Sequence, residues 1–380
     1  MNEFSINTSI FFGKGSLDRL KSIKEKSVLI VCDKFMETSG IADKIKEKLE
    51  NCHVTVFSDI VPDPSVEVVA AGIQVLKECK AEVMIALGGG SSIDGAKAIR
   101  EYAKQTLGEE LIIDDFYAIP TTSGTGSEVT EYAVITNKEE NLKYALANKE
   151  LLPSVAILDP ELVKSVPKSI TADTGMDVIT HALEAYVSTN ATDFSDALAE
   201  KAVTMAFRFL PKAYENGDDD LARERLHNAS CLAGMAFNAA GLGITHSLAH
   251  AIGGKLHVAH GRSNAIILPH VIEFNANLDM SSFNSKCEVQ AKKYQRIAKL
   301  LNLHAPNVHI GVSNLIKAIK ELQCKLMIPK TFKEHGIDED MANAAKEEMI
   351  DAALKDICTE VNPRIAKRTD LLEIMNKILG

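Results

Sequence analysis

The sequence lacks the features of disulfide-rich, membrane-spanning and nucleic-acid-binding proteins. Its seven cysteines show no CxxC or other paired spacing, which argues against a disulfide framework or a cysteine-built zinc site and indicates reduced thiols in a cytoplasmic protein. The opening segment MNEFSINTSIFF has no basic stretch before an apolar run, and no apolar run approaches the roughly 20 residues of a membrane span. The net charge of -10, with lysines dispersed among acids, argues against a phosphate-binding nucleic-acid surface.

The pattern of apolar residues divides the chain into two parts. A chain of 380 residues exceeds the size at which one core stops growing, so two domains are expected. Short apolar, β-branched runs alternate with helical patterns in the first part, at 27–33, 54–57, 83–87, 116–120 and 154–158. They predict a parallel sheet of strands buried on both faces, with helices on both sides. Beyond about residue 170 only helical patterns remain, so the sequence predicts an α/β domain (1–165) followed by an all-α domain (166–380).

Histidines are concentrated in the segment ITHSLAHAIGGKLHVAHG. It contains four of the eleven histidines, namely His246, His250, His257 and His260. His246 and His250 lie four residues apart and share one helix face. On a straight helix His246 and His260 would be roughly 21 Å apart, so a shared ion requires a bend, for which Gly253 and Gly254 are the candidates. The segment predicts either a metal site or acid/base chemistry; the alternative is that these are ordinary hydrogen-bonded or exposed histidines on a helix and a loop.

A second segment, TADTGMDVITHALEAYVS, offers further ligands. Its apolar residues fall on one helical face: Met176, Ile179, Leu183 and Tyr186. Asp177 and His181 lie four residues apart on another face, where they form either a surface pair or half of a metal site. Together with two histidines of the other segment they make a four-ligand site of nitrogen and oxygen. No cysteine takes part, so Fe(II), Zn(II), Mn(II) and Co(II) all remain open.

Three features of the first part point to a nucleotide. In VMIALGGGSSIDGAKAIREYAK, a glycine-rich turn joins a strand to a helix, where bare backbone and a helix N-terminus suit a phosphate; the spacing is not GxGxxG, and a simple tight turn is the alternative. The loop IPTTSGTGSE follows another strand and offers hydroxyls for ribose, phosphate or amide: Thr121, Thr122, Ser123 and Thr125. Asp33 follows the strand VLIVC, where it either caps a helix or binds the adenosine ribose and repels a 2′-phosphate, favouring NAD.

These segments together resemble a known family. GGGSSIDGAKAI, TTSGTGSE, TGMDVITHALEAYVS, HSLAHAIGGKLHVAHGRSNAIILPHVIEFN and NPRIAKRTDLLEIMNKIL resemble the iron-containing, group III alcohol dehydrogenases, essentially from end to end. FSINTSIFFGKGSL, VCDKFM and PDPS look most like the propanol dehydrogenases of propanediol and ethanolamine utilisation. The resemblance implies a dehydroquinate synthase-like architecture, a homodimer or larger homo-oligomer, and a cytoplasmic enzyme, either free or associated with a bacterial microcompartment.

The resemblance also implies roles for individual residues. The implied metal ligands are Asp177, His181, His246 and His260. His250 is implied to be catalytic, facing substrate and nicotinamide without binding the metal, while His257 is secondary. The implied cofactor-binding residues are Asp33, Gly89, Gly90, Ser91, Asp94, Thr121, Thr122, Thr125, Thr130 and Lys143. Leu248 and Ala259 stand where many members have methionine and proline. These differences leave the implied ligands intact, but the resemblance implies less about the substrate pocket.

The expected reaction is reversible hydride transfer between NAD(H) and a short-chain primary alcohol or aldehyde, such as propanol, ethanol or butanol and their aldehydes. One divalent metal, Fe(II) or alternatively Zn(II), is expected to act as a Lewis acid on the substrate oxygen. One alternative is a polyol or lactaldehyde oxidoreductase. Another is a metal- and NAD-dependent lyase resembling dehydroquinate synthase, although only Arg262 supplies a basic group near the histidines. A metal-binding module without catalysis would make the two nucleotide-type loops superfluous.

Overall fold

The computed structural model describes residues 4–108, 113, 115–137, 142–277 and 288–380. The chain forms two compact units, of which the first comprises Met1–Val166 and Asp218–Asn238 and the second Pro167–Gly217 and Ala239–Gly380. The segment Asp218–Asn238 thus belongs to the first unit, although the sequence pattern groups it with the later helices. Within the first unit, Arg223 Nη2 donates hydrogen bonds to the backbone oxygens of Lys164 and Val166, both at 3.1 Å.

The strands of the described residues all lie in the first unit. They are β1 (Ser9–Phe12), β2 (Ser27–Asp33), β3 (His53–Ile60), β4 (Val83–Gly88), β5 (Asp115–Pro120), β6 (Tyr132–Asn137), β7 (Leu142–Ala147) and β8 (Val155–Leu158). Six of them form a parallel sheet in the order β1-β8-β5-β4-β2-β3, which confirms the predicted α/β fold. Strands β6 and β7 pair antiparallel; neither this pair nor β1 is predicted from the sequence.

The helices of the described residues occur in both units. They are α1 (Lys34–Thr38), α2 (Ile41–Lys46), α3 (Val66–Cys79), α4 (Gly90–Leu107), α5 (Lys168–Val187), α6 (Asp193–Glu215), α7 (Asp220–Ala240), α8 (Ile244–Leu256), α9 (His260–Ala276), α10 (Glu288–Leu300), α11 (Val308–Lys325), α12 (Glu339–Lys355), α13 (Ile357–Glu360) and α14 (Arg368–Leu379). Among these residues, no helix combines the length and apolar composition that crossing a membrane requires.

The parallel sheet has apolar cores on both faces. Successive side chains of a strand point to opposite faces, so Val28 and Ile30 of β2 join one core while Leu29 and Val31 join the other. Strand β4 is buried along its whole length. Strand β3 differs from the prediction of a strand buried on both faces, because it lies at the sheet edge and its first half is exposed or half-buried.

The carboxyl ends of β2, β4 and β5 lie next to one another. Strand β3 pairs on one side of β2 and β4 on the other, so the strand order reverses between β2 and β4. Such a switch point is where open α/β sheets bind ligands, beyond the carboxyl ends of the strands. Thr121 N–H donates to Gly88 O at 2.9 Å, which ties the loop after β5 to the glycine-rich turn after β4.

In the second unit, α5 is buried on nearly all sides. From Gly175 to Val187 each of its residues is buried, so Asp177 and His181 lie in the interior and not on an exposed face opposite the apolar one. A buried carboxylate and a buried imidazole require partners that satisfy them. The metal-site alternative therefore fits the position of this pair better than an ordinary surface pair does.

Candidate metal centre and cofactor loops

The turn between α8 and α9 brings His260 back to His246. Helix α8 continues through Gly253 and Gly254 to Leu256, so the predicted bend at these glycines is wrong. A glycine inside a helix costs only about 1 kcal/mol, and the helix continues through both residues. The chain instead turns at residues 257–259, where His257 adopts the left-handed conformation with φ 54°, and the ring centroids of His246 and His260 come to lie 5.3 Å apart.

The four predicted metal ligands lie together in the second unit. Asp177 Oδ1 lies 3.9 Å from His181 Nε2, 3.7 Å from His246 Nε2 and 3.8 Å from His260 Nε2. One ligand atom from each residue lies within 4.8 Å of all the others. A tetrahedral ion with bonds of about 2.1 Å holds its ligand atoms about 3.4 Å apart. The observed spacing therefore matches a single ion at their centre after a small contraction.

The chemistry of this group also fits a cation. Asn264 Nδ2 lies 2.7 Å from Asp177 Oδ1 and 3.1 Å from Nε2 of both His246 and His260. An amide nitrogen carries two hydrogens, so when the imidazoles are neutral, as metal binding requires, it cannot satisfy three acceptors at once and the site has more lone pairs than donors. Asp177, His181 and His246 are buried, whereas the side chain of His260 is 40% exposed, which leaves an opening on one side.

Glu184 contacts the ring nitrogen of His246 that does not face Asp177. Its buried carboxylate accepts hydrogen bonds from the N–H groups of Gly243 at 2.9 Å and Thr245 at 2.7 Å, and Oε2 lies 2.6 Å from His246 Nδ1. A carboxylate only accepts, so Nδ1 carries a proton, and in the neutral ring Nε2 has the lone pair that a metal ion would use. Carboxylate–histidine pairs of this kind commonly orient metal ligands.

In this group, burial and neighbouring charges shift the pKa values of the side chains in opposite directions. Burial alone would raise the pKa of Asp177, but the surrounding histidines outweigh it and hold the pKa below its usual range. Burial lowers the pKa of His246, but hydrogen bonds with Asp177 and Glu184 raise it to about 9. In the metal-free protein His246 therefore carries protons on both ring nitrogens near neutral pH. A cation that binds Nε2 replaces the proton on that atom.

His250 lies beside the four-residue group and outside it. It follows His246 by one turn of α8, its ring stacks on that of His260 at 5.3 Å and 16°, and its side chain is 30% exposed. Its Nδ1 lies 2.8 Å from Asp356 Oδ2. The position beside the group is compatible with the implied catalytic role of His250.

The two glycine- and threonine-containing loops approach closely in the first unit. Gly88 has φ 146°, and a Cβ there would lie 2.4 Å from Ser92 Oγ. A Cβ on Gly90 would lie 2.7 Å from Thr125 Cγ2. Glycine is therefore required at both positions, and it leaves bare backbone at the N-terminus of α4. The first N–H groups of a helix have no partner within it, which suits a phosphate.

Asp33 caps a helix, which is one of its two predicted roles, and its position is also compatible with the other role, binding of the adenosine ribose. Its Oδ1 accepts a hydrogen bond from Met36 N–H at 3.1 Å, so it caps α1. Its Oδ2 lies 3.5 Å from the point where a Cβ on Gly88 would be. The carboxylate thus points toward the glycine-rich turn, where an adenosine ribose would lie.

The remaining predicted cofactor residues differ in how accessible they are. Half-buried positions are Gly89, Ser91, Thr122 and Thr125, and Thr121 is buried. Asp94 accepts hydrogen bonds from Ser127 Oγ at 2.6 Å and Val134 N–H at 3.0 Å. Thr130 is buried, and its Oγ1 lies 3.1 Å from the buried Lys97 Nζ. The side chains of Asp94 and Thr130 therefore already have hydrogen-bond partners within the protein. The side chain of Lys143 lies outside the part of the chain that the structure describes.

Sequence reasoning missed Glu184, Asn264 and Asp356. Glu184 lies three residues after His181 on the same helix, and Asn264 lies four residues after His260, so helical spacing could have placed both beside the ligands. Asp356 had no such signal, because it follows His250 by more than a hundred residues.

Comparison with known proteins agrees with this geometry. Residues 7–160 match the family model of the iron-containing alcohol dehydrogenases, and residues 171–379 match that of the C-terminal part of the Fe-containing alcohol dehydrogenase family. The chain belongs to the iron-containing alcohol dehydrogenase family. The resemblance in the sequence is thus confirmed, and membership implies a metal ion and a nicotinamide cofactor.

Relatives within the iron-containing alcohol dehydrogenases match the whole chain. It is 44% identical over 383 residues to the 1-propanol dehydrogenase PduQ of Citrobacter freundii, covering 100% of both chains. It is 39% identical to the NADPH-dependent butanol dehydrogenase of Clostridium saccharobutylicum, covering 98% of this chain and 97% of the relative. The crystal structure of a 1,3-propanediol oxidoreductase matches 100% of both chains with a TM-score of 0.88 at 32% identity.

Proposed function

We propose that this protein is a metal- and NAD-dependent dehydrogenase that interconverts short-chain primary alcohols and aldehydes. The observation that carries the proposal is the convergence of Asp177, His181, His246 and His260 within 4.8 Å of one another. The relatives named propanol and butanol dehydrogenases support a small, unbranched substrate.

The four converging residues would hold one divalent cation. Three imidazole nitrogens and one carboxylate oxygen suit Fe(II), with Zn(II) as the alternative. When bound, the cation supplies Lewis acidity that polarises the oxygen of the alcohol or aldehyde. Glu184 keeps the proton of His246 on Nδ1, and so keeps Nε2 available as a ligand.

His250 is suited to move the proton of the reaction. Asp356 accepts a hydrogen bond from His250 Nδ1 at 2.8 Å, which leaves Nε2 of the neutral ring as the acceptor. In alcohol oxidation, Nε2 takes up the hydroxyl proton. In aldehyde reduction, the protonated ring returns it. Asp356 stabilises the imidazolium that forms in between.

The first unit would bind NAD(H), which carries the hydride. The N-terminus of α4 and the bare backbone at Gly88 and Gly90 would bind the pyrophosphate. Asp33 Oδ2 would accept a hydrogen bond from the adenosine ribose and repel a 2′-phosphate. We therefore propose NAD preference, in contrast to the NADPH dependence in the name of the butanol dehydrogenase.

The environment of Arg262 counts against the lyase alternative. A phosphorylated acid substrate would need a basic cluster beside the metal ligands. Arg262 Nε instead donates to Asp173 Oδ1 at 2.5 Å, and its side chain is only 13% exposed. Its charge is therefore already paired. A polyol or lactaldehyde oxidoreductase remains an alternative that substrate competition separates.

NADH oxidation with a panel of aldehydes tests the proposal. The iron-loaded and zinc-loaded proteins are assayed with ethanal, propanal, butanal, lactaldehyde and a sugar phosphate, and alcohol oxidation is assayed with propanol and glycerol. We expect the unbranched substrates to have the highest kcat/KM, with neighbouring chain lengths differing by about 1–3 kcal/mol per methylene. A higher kcat/KM for glycerol, lactaldehyde or the sugar phosphate would contradict the substrate assignment, and activity only with NADPH would contradict the role of Asp33.

The cytoplasmic location and the homo-oligomeric state are further proposals. The six described cysteines are free thiols, in agreement with a reducing compartment. Light scattering of the purified protein measures the oligomeric state, and a mass of one chain would contradict it. Fractionation of the source cells separates a free enzyme from one held in a microcompartment.

A further inference from the structure

A second group of ligand-type side chains adjoins the first. His250, Asp356 and Cys358 each offer one ligand atom, and these atoms lie within 4.8 Å of one another. Asp356, between α12 and α13, and Cys358, in the first turn of α13, supply two of them, and Asp356 Oδ1 accepts a hydrogen bond from Cys358 N–H at 2.8 Å. Helix α8 supplies the third, with His250 Nδ1 at 2.8 Å from Asp356 Oδ2.

Neighbouring hydroxyl groups hold this group in place. Thr359 Oγ1 lies 2.7 Å from both Ser247 Oγ and Ala353 O, and Ser247 Oγ lies 3.4 Å from Asp356 Oδ1. These bonds join α8, α12 and α13 around the carboxylate. The three ligand atoms are therefore brought together by the fold before any ion arrives, so binding requires little ordering of side chains.

We propose that His250, Asp356 and Cys358 form a second cation site that binds Zn²⁺ or a similarly thiophilic divalent cation and inhibits the enzyme. A set of one thiolate, one imidazole and one carboxylate, completed by water, is a typical zinc environment. The first group has no sulfur ligand, so the two sites differ in their preference for soft cations. Binding releases the thiol proton of Cys358 to solvent. The proton that His250 Nδ1 donates to Asp356 is displaced from Nδ1 and is taken up at Nε2 by exchange through solvent, so the ring stays neutral.

The inhibition follows from the tautomer of His250, and this consequence rests on the proposed function. A cation bound at Nδ1 takes the lone pair of that atom and leaves the ring proton on Nε2. Nε2 is then a donor and cannot accept the proton of an alcohol. Excess zinc is therefore expected to lower turnover without removing the ion of the first group, and a chelator that removes only the weaker ion restores it.

Cadmium titration tests the site without relying on activity. The iron-loaded Cys324→Ser protein serves as background, because Cys324 is exposed and would bind cadmium by itself. We expect one additional cadmium per chain, retained iron, and the ultraviolet charge-transfer absorption of a cadmium thiolate. Adding Cys358→Ser or Cys358→Ala should remove that absorption and weaken cadmium binding at least about tenfold, whereas adding Cys52→Ser, at a half-buried thiol of the first unit, should change neither.

Three outcomes would overturn the site: no additional cadmium, the same absorption and affinity in both Cys358 variants, or cadmium that replaces iron atom for atom. Zinc inhibition is then measured in the same proteins. Equal inhibition of the background and Cys358→Ser proteins would overturn the inhibitory role. A protein that binds cadmium as expected but shows no dehydrogenase activity would instead contradict the proposed function and leave the cation site standing.

Discussion

Replacing Glu184 by Gln tests how strongly one buried carboxylate controls the metal centre. The substitution keeps the size of the side chain and removes its charge. The amide oxygen can still accept from Gly243 N–H and His246 Nδ1, but the amide nitrogen then faces Thr245 N–H, which donates at 2.7 Å in the wild type. Two donors cannot bond to each other, so either the start of α8 or the orientation of His246 must shift.

The expected loss is about 10–100-fold in metal affinity, or ~1.4–2.8 kcal/mol. A hydrogen bond to a charged group contributes about 1.5–3 kcal/mol, and the variant loses one such bond together with the negative charge behind His246. Proton competition acts in the opposite direction, because Glu184 helps to raise the pKa of His246 to about 9. The comparison is therefore made above pH 9, where the metal-free wild type has lost that proton.

Zinc dissociation constants are measured by chelator competition for the wild type, Glu184→Gln and Glu200→Gln. Glu200 is a matched control in the same unit, since it bonds to Tyr186 Oη and Arg296 and not to a metal ligand. We expect only Glu184→Gln to bind zinc more weakly. Wild-type affinity in a Glu184→Gln protein of unchanged circular dichroism would refute the view that this carboxylate orients His246.

The other predictions concern single residues. His260→Ala should weaken metal binding at least about tenfold, measured by chelator competition, whereas the exposed His257→Asn control should not; equal retention would remove His260 from the ligands. Asp33→Asn keeps a capping side chain and should raise kcat/KM for NADP relative to NAD at least about tenfold, and an unchanged ratio would leave Asp33 only a cap. His250→Ala should lower kcat with normal metal content; metal loss equal to that of His260→Ala would make it a ligand. Because the pKa of His246 is raised to about 9, zinc binding to the metal-free protein at pH 7 should release a proton from it and should tighten as the pH rises toward 9; an affinity independent of pH would contradict this.

The buried strands of the first unit were predictable because their apolar runs are continuous. Strands β2 and β4 lie inside the sheet, and both lie where the sequence predicts them. Strand β1 was missed because its four residues, SIFF, are mostly exposed and are too few to show either a long continuous apolar run or an alternation of apolar and polar residues. The edge position of β3 depends on the order of the strands, which the local pattern of VTVF does not contain.

The identity of the candidate site residues was predictable from the sequence, but the way the chain brings them together was predictable only in part. Spacing gave the pairs Asp177 with His181 and His246 with His250, but only the resemblance distinguished His260 from His250 as the implied ligand. The bend was assigned to Gly253 and Gly254, whereas the structure turns at His257, since the left-handed conformation of a non-glycine residue has no reliable sequence signal. The segment Asp218–Asn238 looks helical whichever unit it packs against, so its place in the first unit could not be read from periodicity.

The turn at residues 257–259 has a consequence for how the chain unfolds. Because it returns the chain to α5, an ion held by Asp177 and His260 would close a loop of roughly 80 residues, as a covalent cross-link would. Closing a loop of that length restricts the unfolded chain by about 4.5 kcal/mol on the entropy scale used for disulfides. The melting temperature of the second unit should therefore rise with ion concentration, and the resistance of the chain to added protease should rise with it.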